Sequence, residues 1–163
     1  MNFADAIARV LAAEGGLVDD PADPGGLTNW GWALHENPDL TADQIRTMTR
    51  DQAAARYKVK FWDVVNGDQL PFETAYQLLD FAVNAGIGTA IRKAQAALGC
   101  ADDGRWGPVT QAAMASTPAA LFVIRFAAEK IRYYTKLTTW PRFGAGWANR
   151  IATDLDFAAG DLA

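Results

Sequence analysis

Three side chains near the amino terminus are of the types that glycoside hydrolysis needs. Glu14, Asp23 and Thr28 lie in the stretch 11-LAAEGGLVDDPADPGGLTNWGW-32. Cleavage of a glycosidic bond uses one carboxylic acid that donates a proton to the leaving oxygen. It also uses a second group that stabilises positive charge or activates water. Two carboxyl groups in different environments are typical of such an acid and base pair.

The positions of these side chains suit the two roles. Glu14 ends the first predicted helix, where the helix dipole places partial negative charge and so disfavours the charged form of a carboxyl group. Burial in a cleft would act in the same direction. Asp23 lies in a polar loop of Pro and Gly residues, where a carboxylate stays ionised, and the hydroxyl of Thr28 could hold a water. We therefore predict that Glu14 is the proton donor and that Asp23 and Thr28 handle water or charge.

The same residues also fit plainer interpretations, since a Glu at a helix end and an Asp-Pro turn are common in proteins. Asp19, Asp20 and Asp23 could bind a cation, although the spacing of an EF-hand is absent. The one histidine, His35, and the one cysteine, Cys100, lie far apart in the sequence. The sequence contains no cluster with metal-ligand spacing and no phosphate-binding loop. We expect no metal and no cofactor, and we expect His35 to be structural.

The elements that must position these side chains are helical over most of the chain. A first helix is predicted over residues 2–13, because its apolar side chains share one face: Phe3, Ile7, Val10 and Leu11. Residues 15–35 lack helical periodicity, so we predict a small hairpin or an irregular loop there. Two capping boxes, each a threonine with a glutamine three residues later, then start helices at Thr41 and Thr49.

The remainder of the chain is predicted to be helical as well. The expected helices cover residues 71–86, residues 89–98, a stretch of about 20 residues between Thr117-Pro118 and Trp140-Pro141, and residues 146–158. We therefore predict one mainly α-helical domain over residues 1–163. Residues 1–70 form the half with the catalytic motif, and residues 71–163 form a helical half.

The composition is that of an ordinary soluble globular protein, since half of the 163 residues are hydrophobic and 21% are charged. A net charge of −4 argues against nucleic acid as a partner. Residues 125–150 nevertheless hold six Lys or Arg residues against a single Glu. Such a cluster is usually a solvated helix face, and the alternative is a surface that meets an anionic polymer.

Several motifs occur along the chain in a defined order. The first is Glu14-Gly15-Gly16 followed by Asp23-x-Gly25-Gly26-x-Thr28-x-x-Gly31. The later ones are 61-FWDVVNGDQLP-71, 80-DFAVNAG-86, 95-QAALGCADDGRWGPVT-110 and 143-FGAGWANR-150. This set resembles glycoside hydrolase family 108, whose members are lysozyme-like N-acetylmuramidases and include phage endolysins. Residues 95–110 resemble the peptidoglycan-binding segment that is attached to that family.

The resemblance implies a phage-type, lysozyme-like helical fold. It also implies cleavage of the β-1,4 bond between N-acetylmuramic acid and N-acetylglucosamine in bacterial peptidoglycan, as a phage or prophage endolysin does. Two alternatives stay open at this point. One is a lytic transglycosylase or a chitinase on the same kind of fold. The other is a non-catalytic protein that binds peptidoglycan.

The order of Glu14, Asp23 and Thr28 resembles the catalytic triad of phage-type lysozymes. The Glu-to-Asp spacing agrees, whereas four residues separate Asp23 from Thr28 here and the commoner phage pattern has five. Asp19 or Asp20 could therefore replace Asp23 if the loop folds differently. A water held between Asp23 and Thr28 would gain a second hydrogen-bond partner, so we expect the inverting route rather than the retaining one.

Candidate substrate-binding residues lie outside this triad. Six tryptophans could stack on sugar faces, and we expect most of them in the core. Trp30, two residues after Thr28, and Trp106, in a turn flanked by glycine, are the better candidates. Asp80 and Asn84 are four residues apart on one predicted helix, so they could face the substrate or could equally cap or cross-link buried backbone.

The expected site of synthesis is the cytoplasm of a host bacterium. The first helix carries Asp5 and Arg9, which the core of a signal peptide lacks. The most apolar run, 118-PAALFVIRFAAE-129, is too short to span a bilayer and contains Arg125. We expect a monomer without stable membrane insertion that acts on the cell wall after release, for which a holin is the candidate route.

Overall fold

The computed structural model describes residues 1–19 and 26–163 of the chain. These residues form a mainly α-helical structure with one small antiparallel hairpin, which confirms the predicted fold class. The chain divides into two compact units, residues 1–60 and residues 61–163. None of the helices in the described part of the chain is long and apolar enough to cross a membrane.

The first unit contains short helices around a hairpin. Its described elements are α1 (Phe3–Ala13), β1 (Thr28–Asn29), β2 (Trp32–Ala33), α2 (Ala42–Arg46) and α3 (Arg50–Tyr57). Both predicted capping boxes form, because Thr41 and Thr49 each accept a hydrogen bond of 3.2 Å from the backbone N–H three residues later. The buried side chains of this unit come from every one of these elements, and they include Val10, Trp32, Ile45, Ala53 and Tyr57.

The hairpin lies within the stretch that was predicted to be a hairpin or an irregular loop. Thr28 pairs with Ala33, and Asn29 pairs with Trp32, in antiparallel register. The two turn residues between the strands both have positive φ, +51° at Trp30 and +78° at Gly31. A two-residue turn of this hand matches the natural twist of paired strands. Backbone hydrogen bonds of 2.8 and 2.9 Å between Val18 and Thr28 attach the chain after α1 to the hairpin.

The second unit is a set of longer helices. Short π- and 3₁₀-helical segments cover Lys58–Trp62, Asp63–Val65 and Gly67–Gln69. They are followed by α4 (Phe72–Ala85), α5 (Ile87–Leu98), α6 (Pro108–Ser116), α7 (Ala119–Tyr134) and α8 (Trp140–Asp161). The helix α4 packs against α5, α7 and α8, and its residues 73–82 are all buried. The ring of Phe81 meets the rings of Phe126 and Tyr134 edge to face at 5.6 Å. This helix is therefore the centre of the core of the second unit.

The last helix differs from the prediction. Trp140-Pro141 was expected to end a helix of about 20 residues, but α7 stops at Tyr134 and Trp140 begins α8 instead. Proline fits the first turn of a helix because its missing N–H has no partner to lose there. The ring of Trp140 lies over Gly144, where an added Cβ would be 2.6 Å from Cδ2 of the indole. Gly144 thus lets the first turn of α8 fold against its own tryptophan.

Part of the cationic cluster of residues 125–150 points inward. Lys130 is 1% exposed and donates hydrogen bonds to Asp154 Oδ2 at 2.7 Å and to Gln77 Oε1 at 2.6 Å. The hydroxyl of Tyr76 donates to Asp154 Oδ1 at 3.0 Å. Because its charge is neutralised inside α4, α7 and α8, Lys130 is not part of a solvated face or of a surface for an anionic polymer.

Candidate active site

Glu14 is the residue that follows α1, as the sequence predicts. It has left the helical conformation, with φ −82° and ψ 140°, and its backbone N–H still donates to the carbonyl of Val10. The side chain is half-buried. No basic residue lies in the last turn of the helix. The carboxyl group of Glu14 is therefore next to the negative end of the α1 dipole.

The carboxyl group of Glu14 packs against the turn of the hairpin. A Cβ atom added to Gly31 would lie 3.0 Å from Oε2 and 3.4 Å from Cδ of Glu14. The same atom would overlap the hydroxyl of Tyr57, which comes from the end of α3. Gly31 is thus required twice, once for its φ of +78° and once for the close approach of these two side chains. Three elements therefore meet at the candidate acid.

Trp30 is held in the turn by two hydrogen bonds. Its indole N–H donates to the carbonyl of Met48 at 3.1 Å, and its own carbonyl accepts from the hydroxyl of Tyr57 at 3.0 Å. A bulky residue with positive φ is uncommon and carries backbone strain of about 1–3 kcal/mol. Asn29 adds two bonds, of 2.9 and 3.2 Å, to the carbonyls of Ile45 and Met48. These contacts fix the hairpin to the end of α2 and offset the strain.

Thr28 lies in β1, three residues before Gly31. Its backbone is fixed on both sides, by Val18 and by Ala33. Its half-buried hydroxyl donates to the carbonyl of Gly26 at 3.3 Å, and a hydroxyl oxygen in this arrangement can still accept a hydrogen bond. The predicted role of Thr28 in holding a water stays a prediction.

The second carboxylate of the predicted pair, Asp23, lies outside the described residues, and so does Asp20. Asp19, the other alternative, is described. Its Oδ2 accepts a hydrogen bond of 2.8 Å from Nε of Arg46 in an exposed ion pair. The carboxylate of Asp19 is thus engaged with α2.

Asp80 and Asn84 lie on α4 in the second unit. Both oxygens of Asp80 accept hydrogen bonds from Arg150, with distances of 2.6 to 3.0 Å, and Asp80 is 4% exposed. The side-chain amide of Asn84 donates to the backbone carbonyl of Asp80 at 2.9 Å. The bonds of Asp80 link α4 to α8, and the bond of Asn84 lies within α4. A role of either residue in substrate binding stays a prediction.

Trp106 and its surroundings belong to the loop between α5 and α6. Gln95, 1% exposed, holds that loop by donating to Asp103 Oδ1, the carbonyl of Arg105 and the hydroxyl of Thr110, at 2.8 to 3.0 Å. Trp106 is half-buried and lines a cavity of about 310 Å³. Its buried indole N–H has no hydrogen-bond partner among the residues that the structure describes.

The tryptophans are less buried than expected. Only Trp32 and Trp62 are in the core, each 2% exposed, and the other four are half-buried. A ring of this size is seldom covered completely, which is why the expectation failed. Trp147, for example, stacks on Tyr134 with the ring centroids 4.7 Å apart.

Two single residues have local partners. The side chain of His35 is 60% exposed and lies 3.7 Å from the carboxylate of Glu36. The thiol of Cys100 donates to the carbonyl of Gln95 at 3.6 Å.

Tyr57 is the residue of the site that the sequence did not indicate. It lies 26 positions after Gly31 on a different element, and its hydroxyl meets the hairpin only through tertiary packing. A tyrosine at the end of an amphipathic helix is usually a core residue, and Tyr57 is indeed 2% exposed. No local pattern distinguishes it from other buried aromatic residues.

Comparison with known proteins identifies the family. The family described as glycosyl hydrolase 108 matches residues 7–86, which include Glu14, Thr28 and Gly31. The solved structure of Brucella abortus SagA is similar to this chain with a TM-score of 0.87 and 31% sequence identity, over 97% of this chain and 94% of that one. No curated protein matches the chain. The chain therefore belongs to glycosyl hydrolase family 108 and is a lysozyme-like glycoside hydrolase of the kind that degrades peptidoglycan.

Proposed function

We propose that this protein is an N-acetylmuramidase, which hydrolyses the β-1,4 bond between N-acetylmuramic acid and N-acetylglucosamine. The observation that carries the proposal is the position of Glu14. Its half-buried carboxyl group lies at the negative end of α1 and against the hairpin turn at Gly31. The contacts with the turn hold the carboxyl group in one place, as a proton donor in catalysis requires. In this proposal Glu14 protonates the leaving glycosidic oxygen.

The substitution Glu14→Gln tests this role. Glutamine has nearly the same shape but cannot donate a proton as an acid does, so activity on purified peptidoglycan should fall ~10²–10⁴-fold. Circular dichroism should show an unchanged fold. Glu36→Gln makes the same chemical change at an exposed site of the same unit and should keep full activity. An activity of Glu14→Gln above about a tenth of wild type would exclude Glu14 as the acid.

The bond specificity is tested by the products. Mass spectrometry of the released muropeptides should find a muramic acid at the new reducing end, with one water added per cleavage. A 1,6-anhydro product would identify a lytic transglycosylase. Cleavage of chitin oligomers in preference to peptidoglycan would identify a chitinase, and tight binding without any released fragment would identify a binding protein.

We propose that the reaction is inverting and that Asp23 and Thr28 hold the water that attacks as Glu14 protonates the leaving oxygen. The strand β1 fixes the backbone of Thr28, and its hydroxyl oxygen can accept a hydrogen bond from a water. Inverting enzymes separate their two carboxyl groups by roughly 6.5–9.5 Å to admit this water, and retaining enzymes by roughly 5–5.5 Å.

Thr28→Ala should lower kcat about tenfold or more without unfolding the protein, because the water loses one of its partners. The direct test is proton NMR of the first-formed anomer on a short peptidoglycan oligomer. The inverting route gives the α anomer first. A β anomer as the initial product would mean retention and would assign Asp23 the role of a nucleophile.

Two further roles complete the proposal. Residues 95–110 act as a peptidoglycan-binding segment, which the cavity beside Trp106 supports.

The protein acts as a monomeric phage or prophage endolysin that reaches the wall after release, with a holin as the candidate route. Expression in a host cell with and without a co-expressed holin tests the release route, since lysis should require both proteins.

A further inference from the structure

The cavity beside Trp106 takes no part in the proposed cleavage of the glycosidic bond. It has a volume of about 310 Å³, and its walls are the turn of residues 65–71, Trp106 and one side of α6. We call it the Trp106 cavity. It lies within the second unit, whereas Glu14 and Thr28 belong to the first. Its volume is in the range of small-ligand sites and far above that of a single water.

The turn that forms one wall of the cavity has a fixed shape. Asn66 is in the left-handed conformation, with φ +54° and ψ 46°. Its backbone N–H donates to the carbonyl of Asp63 at 3.2 Å, and its carbonyl accepts from the N–H of Gln69 at 2.8 Å. Gly67 packs closely on Trp62, since an added Cβ would lie 2.5 Å from the indole ring. A wall of fixed shape lowers the entropy lost when a ligand binds.

The polar side chains in the wall are carboxamides. Asn66, Gln69 and Gln111 line the cavity, and their side chains make no hydrogen bond within residues 1–19 and 26–163. A carboxamide both donates and accepts hydrogen bonds. No charged side chain lines the cavity in the part of the chain that the structure describes. The walls therefore favour a neutral ligand, because a charged one would lose its water without gaining an ion pair.

The remaining surface of the cavity is largely apolar. Val65 and Met114 are buried, and Leu70 and Trp106 are half-buried. The indole N–H of Trp106 is buried, so the ring offers carbon atoms to a ligand rather than its N–H. Aromatic and aliphatic side chains cover apolar parts of a ligand, and a few polar groups fix its orientation. An acetamido group, with one N–H, one C=O and a methyl group, matches this combination.

We propose that the Trp106 cavity binds an N-acetyl sugar of the glycan strand through its acetamido group, at a site separate from the cleaved bond. Asn66 and Gln111 exchange hydrogen bonds with the amide, and the apolar wall covers the methyl group. N-acetylglucosamine fits better than N-acetylmuramic acid, because it lacks the lactyl group that carries the stem peptide. The inference rests on the proposed peptidoglycan-binding role of residues 95–110. It adds contacts outside that segment, from residues 65–71 and 111–117.

Binding is tested on the Glu14→Gln chain, which should not cleave its ligand. The probe is triacetylchitotriose, titrated while the indole N–H resonances are followed by ¹H–¹⁵N NMR. Trp106→Phe identifies the resonance of Trp106 by removing it. We expect this resonance to shift and to saturate with a Kd on the order of 1 mM, as for a site that holds one sugar. Cellotriose, which has a hydroxyl in place of each acetamido group, should leave it in place.

A matched pair of variants on α6 blocks the cavity without removing a native side-chain contact. Ala115 and Ala112 are both exposed, and of these two only Ala115 lines the cavity. Ala115→Phe should abolish the shift of the Trp106 resonance, because its ring occupies the ligand's place. Ala112→Phe should keep the shift. Both variants should keep the urea midpoint of the parent chain, since surface substitutions change stability little.

A second pair tests the recognition of the amide. Asn66→Asp keeps the shape of the side chain but replaces its N–H donors with a negative charge. It should weaken the binding of triacetylchitotriose about three- to tenfold, since a hydrogen bond is lost. Asn149→Asp places the same charge at an exposed site of α8 and should leave the affinity unchanged.

Three results would overturn the proposal. One is a Trp106 resonance that triacetylchitotriose does not move. Another is an equal shift with cellotriose, which would mean that the cavity binds sugars without regard to the acetamido group. The third is a shift with a free stem tetrapeptide at lower concentration, which would assign the cavity to the peptide.

The cavity and the muramidase fail separately. Released products of the wild-type chain judge the muramidase, and a saturating Trp106 shift in a chain that releases no muropeptide would still support the cavity. On insoluble peptidoglycan, the KM of Ala115→Phe should be about three- to tenfold above that of Ala112→Phe. A second site on the same strand raises the effective concentration of substrate, and Ala115→Phe loses it. Equal KM values of the two variants would contradict the proposal.

Discussion

At the scale of single residues, the candidate acid depends on a neighbour without a side chain. Gly31 supplies both the positive φ of the turn and the space into which Glu14 and Tyr57 pack. A carboxyl group that acts in a reaction must be held in place by such contacts. The position of the Glu14 carboxyl group therefore depends on the glycine at position 31.

Gly31→Ala should cost both stability and activity. The left-handed backbone alone costs an alanine roughly 1–2 kcal/mol, and the overlap with the hydroxyl of Tyr57 adds to that. Gly99→Ala is the matched control, because Gly99 has a φ of +74° and open space around its Cβ position. Both variants should lower the midpoint of urea unfolding, but only Gly31→Ala should lower kcat. Equal activity of the two variants would show that the turn does not position the acid.

At the scale of elements, one buried amide organises the loop between α5 and α6. Gln95 donates to three acceptors and accepts a hydrogen bond of 2.9 Å from the backbone N–H of Gly104. Its hydrogen bond also holds the pKa of Asp103 below the usual range. The loop thus has a defined shape although it has no regular secondary structure. Trp106 and its cavity depend on that shape.

Gln95→Leu should therefore destabilise the protein by about 2–4 kcal/mol, since leucine fills the volume but leaves several polar groups without a partner. Gln111→Leu on α6 is the control, because Gln111 is exposed, and its effect should stay within about 0.5 kcal/mol. Hydrogen exchange should rise at Gly104 and Arg105 in the Gln95 variant alone. Unchanged hydrogen exchange at these two residues would mean that the loop keeps its shape without Gln95.

At the scale of the whole molecule, charge is distributed unevenly. The net charge is −4, yet two of the six cations of residues 125–150 have internal acidic partners. Lys130 pairs with Asp154 and links α7 to α8, and Arg150 pairs with Asp80 and links α8 to α4. Burial raises the pKa of Asp154 to about 6, Asp80 adds to the rise, and Lys130 opposes it. Removing one partner of such a pair strands the other charge in the core.

Lys130→Met should cost about 3–5 kcal/mol at pH 8. Without Lys130 the carboxyl group of Asp154 has a still higher pKa in the folded chain, whereas it keeps its ordinary value when unfolded. Because the folded chain then binds this proton more tightly than the unfolded chain does, the free energy of unfolding is highest at low pH. It falls as the pH rises through the folded pKa of Asp154. The penalty, measured by urea unfolding, should therefore grow from pH 6 to pH 8. The double variant Lys130→Met with Asp154→Leu should remove the pH dependence.

The sequence by itself determined the features that depend on neighbouring residues. The capping boxes at Thr41 and Thr49, the hairpin within residues 15–35 and the mainly α-helical fold follow from local spacing and periodicity, and all of them are present. The ordered motifs likewise identified glycosyl hydrolase family 108. The start of α8 was mistaken because Trp140-Pro141 is compatible both with the end of one helix and with the first turn of the next.

Only the tertiary structure decided which distant residues meet. Tyr57 reaches the turn beside Glu14, Lys130 turns into the core to meet Asp154, and Arg56 covers Trp32. Each of these contacts joins residues on different elements. Periodicity reports which face of a helix is apolar but not which helix will cover it. The partners of polar side chains depend on that packing, because a buried charge or N–H must find its acceptor wherever the fold places one.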